Sequence, residues 1–142
     1  MPSTTEKRFD SIVVDKDNLP VALVEVRAYS SDKWPKYLSR ETSKFPPFVF
    51  TVDPNHISLY RPAGDDLGAP IVQLNTRRIL QQYDPEFPER RVFEQYLTTL
   101  VEAWLRDLAY HWNSEKPPGS DELAKTGLLE KLEGGTTQRF GD

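Results

Sequence analysis

Phe9-Asp10-Ser11-Ile12-Val13-Val14-Asp15, then Lys16-Asp17-Asn18-Leu19-Pro20, then Val21-Ala22-Leu23-Val24-Glu25-Val26-Arg27-Ala28: the reading of this stretch decides the fold. The first run is short and β-branched and reads as a strand. Lys16 to Pro20 carries the residue types of a turn. The second run is apolar throughout except at Glu25 and Arg27. A strand apolar on both sides lies centrally in a sheet that is covered on both faces. Only a hairpin-length loop separates the two runs, so they pair antiparallel. The pattern argues for an α/β fold rather than a half-exposed β-meander.

Outward from the hairpin, Asp32 to Thr42 reads as a helix, with Ser31 or Asp32 as cap and Trp34, Tyr37 and Leu38 at helical spacing. Pro46-Pro47 opens a strand, Phe48 to Val52. His56 to Tyr60 alternates at period two and gives another, and Ile71 to Leu74 gives a short edge strand. Asn75 or Thr76 caps a helical turn through Leu80. The longest helix spans about Glu89 to Trp112, where Phe93, Leu97, Leu100, Val101, Trp104, Leu105 and Leu108 recur at three and four. Pro117-Pro118-Gly119 breaks the chain. A weak helix is expected over 121–132, weakened by Gly127, and Gly134 to Asp142 reads as disordered. The expected organisation is a flexible 1–8, an α/β domain over 9–112 with a mixed sheet of four or five strands flanked by helices, and an extension over 113–142.

Composition narrows the chemistry. The 142 residues contain no cysteine, which excludes disulfides, zinc fingers, iron–sulfur sites and thiol nucleophiles. No apolar run reaches the roughly 20 residues of a membrane helix, and Met1 to Arg8 has no apolar signal region. A soluble, cytoplasmic protein is the expectation. Net charge is −4, and neither half of the chain is basic. Contact with DNA or RNA would therefore rest on local patches, on metal or on a partner. No Ser-His-Asp spacing, glycine-rich phosphate loop or His–acid cluster stands out.

The sharpest constellation is Asp10 with Glu25 and Arg27. If the hairpin register sums to 35, Asp10 lies opposite Glu25, and same-face neighbours on adjacent strands stand about 5 Å apart at Cβ. Two carboxylates so placed can share Mg2+ or Mn2+, hard ions that take oxygen ligands. Arg27, two residues on, projects from the face of Glu25 and can offset charge on a phosphate. The same residues also read as an acid opening a strand and an ion pair at a sheet end. A one-residue slip would turn Asp10 to the other face.

These residues resemble the core hairpin of the PD-(D/E)XK nuclease-like superfamily. The likeness is to small uncharacterised bacterial, notably cyanobacterial, members and to the N-terminal nuclease region of type I restriction endonuclease subunits. The resemblance covers about residues 9–61 and implies a restriction-endonuclease-like core. It further implies Asp10 and Glu25 as metal ligands, with Arg27 in the position usually held by lysine. The implied activity is Mg2+- or Mn2+-dependent phosphodiester cleavage of nucleic acid. Arginine stays protonated, so it can stabilise charge but is a poor base.

A basic series, Lys33, Lys36, Arg40 and Lys44, is spaced to line one helix face and touch a phosphate backbone. It reads more readily as solubilising surface charge. Two further readings of function stand beside the nuclease. One is an inactive nuclease-like scaffold that binds or assembles with a partner. The other is a homodimeric structural protein joined through apolar residues of the C-terminal half.

Overall fold

β2, Pro20–Val26, is buried from Val21 onward and lies inside the sheet. The computed structural model that shows this describes residues 11–28, 46–63, 67–87 and 93–139. The other strands are β1 (Ser11–Val14), β3 (Phe48–Val52), β4 (His56–Tyr60), β5 (Val72–Asn75) and β6 (Thr136–Arg139). Their order is β5-β4-β3-β2-β1-β6. Only β2 and β3 run parallel; the other neighbours are antiparallel. The fold is mixed α/β as expected, and the described residues form six strands rather than four or five.

The β1–β2 hairpin takes the register in which paired residues sum to 35. Ser11 pairs with Val24, Ile12 with Leu23 and Val13 with Ala22, before an irregularity at Val14. Asp15 organises the turn. Its Oδ1 accepts from the N–H groups of Asp17 (2.8 Å) and Leu19 (2.9 Å). Asn18 takes a left-handed φ of 67°, which its short polar side chain tolerates.

Alternation gives the sheet two different faces. Val13, Ala22, Val24, Val26, Phe48, Phe50, Val52, Ile57, Leu59 and Leu74 belong to one large buried cluster with the helices. Leu23, Val49, Tyr60 and Leu67, with Ile12 against them, form a smaller cluster on the other face. This second cluster is why β2 is apolar on both sides.

Helix α1 (Thr76–Leu80) is capped as expected: Asn75 accepts at Oδ1 from the Arg78 N–H. The long helix α2 runs from Glu94 to Tyr110, shorter at both ends than its apolar period predicts. It stops where His111 turns left-handed, φ 53°. Its Leu97, Val101, Trp104 and Leu105 are fully buried. Trp104 meets Phe50 edge-on at 5.8 Å and donates from Nε1 to the Pro118 carbonyl (2.8 Å).

The C-terminal segment corrects the expected domain boundary. Instead of one weak helix over 121–132 there are two short ones, α3 (Ser120–Ala124) and α4 (Leu128–Leu132), split at Gly127 with φ 85°. Leu123, Leu128 and Leu132 are fully buried in the main cluster, so 113–139 belongs to the domain. Thr136–Arg139, read from the sequence as disordered, is β6 and pairs with β1, Ser11 opposite Arg139. Gly135 permits this: a Cβ there would lie 1.9 Å from the Val14 carbonyl oxygen. The expected helix over Asp32 to Thr42, the flexible 1–8 and residues 140–142 lie outside the described residues. Among the described residues, no helix is long and apolar enough to cross a membrane.

Candidate functional site

Ala22, Val24 and Val26 turn toward the helices, so Leu23, Glu25 and Arg27 take the opposite face. Glu25 is 3% exposed. A carboxylate so buried needs a compensating partner, and Arg27 supplies one: Nη1 lies 2.7 Å from Oε2. The Arg27 backbone N–H continues the parallel pairing by donating to the Val52 carbonyl (2.9 Å).

Register extends this pair into a polar row. Glu25 pairs with Thr51 across β2–β3, Thr51 with Ser58 across β3–β4, and Ser58 with Gln73 across β4–β5. Glu25, Thr51 and Ser58 are all buried. Gln73 donates from Nε2 to Ser58 Oγ at 3.1 Å. Tyr60 joins through a side-chain hydrogen bond with Thr51. Its phenol is held above the ordinary tyrosine range chiefly by burial; the Thr51 bond opposes the shift and the negative charge of Asp53 adds to it. Asp53 accepts at Oδ1 from the N–H groups of Asn55 and His56, both at 2.8 Å, which shapes the β3–β4 turn.

Of the residues expected at the site, Glu25 and Arg27 come together on one face. Asp10, Lys33, Lys36, Arg40 and Lys44 lie outside the described residues. Thr51, Ser58 and Tyr60 escaped sequence reasoning. The signal was present in the alternation of Phe48–Val52 and His56–Tyr60, but it needs the register of three strands to become a row. Among the described residues, no three His, Cys, Asp or Glu side chains gather in a group able to hold a metal ion.

Other polar clusters have structural roles. Glu102 on α2 accepts from Ser11 Oγ, and its Oε1 lies 2.6 Å from Arg139 Nη2. That ties β1 and β6 to the helix. Asp107 is fully buried. It accepts from Tyr83 Oη (2.6 Å) and from the N–H groups of Asn113 (2.9 Å) and Ser114 (3.0 Å). Burial pushes its carboxyl up, but the Tyr83, Asn113 and Ser114 hydrogen bonds prevail and hold it below the ordinary value of 3.8. Tyr83 is pushed far above its ordinary value by burial and then by Asp107. His56 is exposed. His111 faces the Ser114 carbonyl through Nδ1 at 3.2 Å.

Compared with models of protein families, with curated proteins and with solved structures, the chain matches none.

Proposed function

We propose that the chain is a Mg2+- or Mn2+-dependent phosphodiesterase acting on nucleic acid, built on a PD-(D/E)XK-type hairpin. The observation that carries this reading is the buried Glu25, joined to Arg27 on the sheet face turned away from the main helix-packed core. Two features support it. The hairpin register sums to 35, and one further step in that register is Asp10 against Glu25. The parallel β2–β3 pair requires a crossover connection, commonly a helix, and the Asp32 to Thr42 segment is where one is expected.

The donor chemistry fits the ion. Carboxylate oxygens of Glu25 and Asp10 are the hard ligands such cations take, and the Thr51 hydroxyl stands next in the row. The ion would supply Lewis-acid polarisation and a more acidic water. Arg27, released from Glu25 as the carboxylate turns to the cation, would hold a non-bridging phosphate oxygen and offset charge in the transition state. It would not accept a proton, because guanidinium stays charged at any working pH.

The test is cleavage of single- and double-stranded DNA and RNA with Mg2+ or Mn2+, beside Asp10→Ala and Glu25→Gln. Metal-dependent cleavage lost in both variants is the expected result. No metal-dependent cleavage, or equal cleavage by the variants, would leave the second reading, a nuclease-like scaffold without activity. Arginine in the position usually held by lysine favours that alternative, because a guanidinium that stays charged is a poor base.

A further inference from the structure

Among the described residues, β5 is an edge of the sheet, with β4 as its one neighbour. The Thr76 N–H donates to the Asn55 carbonyl at 3.2 Å, and His56 pairs with Asn75. Antiparallel strands bond at every second residue. That phase turns the backbone N–H and C=O of Gln73 away from β4, toward the outside of the sheet.

A cavity of about 490 Å³ lies against this edge. Ile71, Val72 and Gln73 all line it. Val72 and Gln73, consecutive in β5, point to opposite faces, so both reach one cavity only if it runs along the strand's edge. The α3–α4 turn, through Lys125 and Thr126, makes the far wall, and Arg61 lines the cavity too. Ile71 is 42% exposed, an apolar surface beside an open strand edge.

The charge of the cavity is the second observation. The Arg61 guanidinium lies 5.4 Å from the Phe48 ring centroid and donates to the Thr126 carbonyl, but it has no ion pair among the described residues. Lys125 has none there either. Glu122, the one acid lining the cavity among the described residues, is already paired with Arg78 at 3.2 Å. A locally cationic groove therefore sits on a chain of net charge −4.

We propose that the β5 edge and this groove bind an extended acidic segment of a partner protein, which adds to the sheet as a seventh strand. Main-chain bonds to Gln73 would supply affinity, and Arg61 and Lys125 would select acidic side chains. The site is independent of Glu25 and Arg27. Arg61 stacks on Phe48 of the main helix-packed core, near the start of β3, while Glu25 pairs with Thr51 on the other face.

The test uses the full chain and a fluorescein-labelled octapeptide of alternating valine and glutamate, read by anisotropy. Saturable binding is expected, with none for the valine–lysine counterpart. Lys125→Glu should weaken it about fivefold. Gln73→Pro should abolish it while leaving circular dichroism unchanged, since an edge N–H facing solvent can be given up to proline. Should Gln73→Pro misfold, an octapeptide N-methylated at alternate residues serves the same purpose and should not bind. Three outcomes would overturn the proposal: equal binding of the lysine peptide, binding that survives both backbone blocks, or no binding. Inorganic phosphate occupying the groove without the peptide would replace it with a small-anion pocket. A concentration-dependent dimer lost in Gln73→Pro would replace it with a second copy of this chain.

Discussion

Two buried glutamates, Glu25 and Glu102, each hold an arginine, and the two pairs differ in what they join. Glu102 and Arg139 are 37 residues apart, and together with Ser11 they bind helix α2 to both strands at one end of the sheet. Their geometry is two-pronged, with Oε1 to Nη2 at 2.6 Å and Oε2 to Nε at 3.3 Å. Glu25 and Arg27 are two residues apart on one strand, so their contact closes no loop and joins no second element. Burying charge costs several kcal/mol per ion before pairing recovers it. The first pair offsets that cost by fixing topology. The second lies within β2, on the sheet face turned away from the main helix-packed core.

The largest expected effect tests that contrast at Glu25. Glu25→Gln should lower metal-dependent cleavage per folded molecule by about 100-fold or more. A variant that unfolds but cleaves normally per folded molecule would make the two pairs alike. Second, Glu102→Ala should cost about 3 kcal/mol in urea unfolding, because it strands Ser11 and Arg139, without changing cleavage by the folded fraction. Third, Gly135→Ala should cost about 2 kcal/mol by pushing β6 off Val14. Its effect should be less than additive with Glu102→Ala, since both release the same strand. A fully additive double mutant would show that Arg139 does not act through Glu102.

The smallest effect concerns Asp107, a buried acid whose partners are neutral. Its folded pKa lies below the ordinary 3.8. Its contribution to stability is therefore complete above that value and lost as pH falls through the depressed one. Tyr83 has the opposite sign: its pKa is raised, so its contribution is present below about 10 and lost on the alkaline side. Asp107→Asn should flatten the acid limb of a urea-stability profile below the ordinary value of 3.8. An unchanged limb would assign the acid sensitivity to other carboxylates.

The hairpin was legible because its cues are local. A short turn and β-branched runs mark the two strands, and the i, i+2 spacing puts Glu25 and Arg27 on one face; the register itself comes from the structure. The cap at Asn75 and the buried stripe of α2 were legible for the same reason. β6 was not: Thr136-Thr137-Gln138-Arg139 has no apolar residue, and its place depends on β1. Gly134-Gly135 looks like a break and is instead a close approach, with Gly134 at φ 79°. The Glu102–Arg139 pair and the row through Thr51 and Ser58 required tertiary registers that no local pattern encodes.

The partnership of β1 with β6 also sets a schedule for synthesis. Asn18 accepts from Gln138 across 120 residues, so one side of β1 waits until almost all of the described chain has left the ribosome. Until then β1 is itself the sheet edge, and the Ser11 hydroxyl lacks Glu102, which is translated 91 residues later. Such long-range pairing is slow and leaves a strand open to wrong partners. Folding yield on the ribosome should thus depend on how quickly the last thirty or so residues follow the long helix.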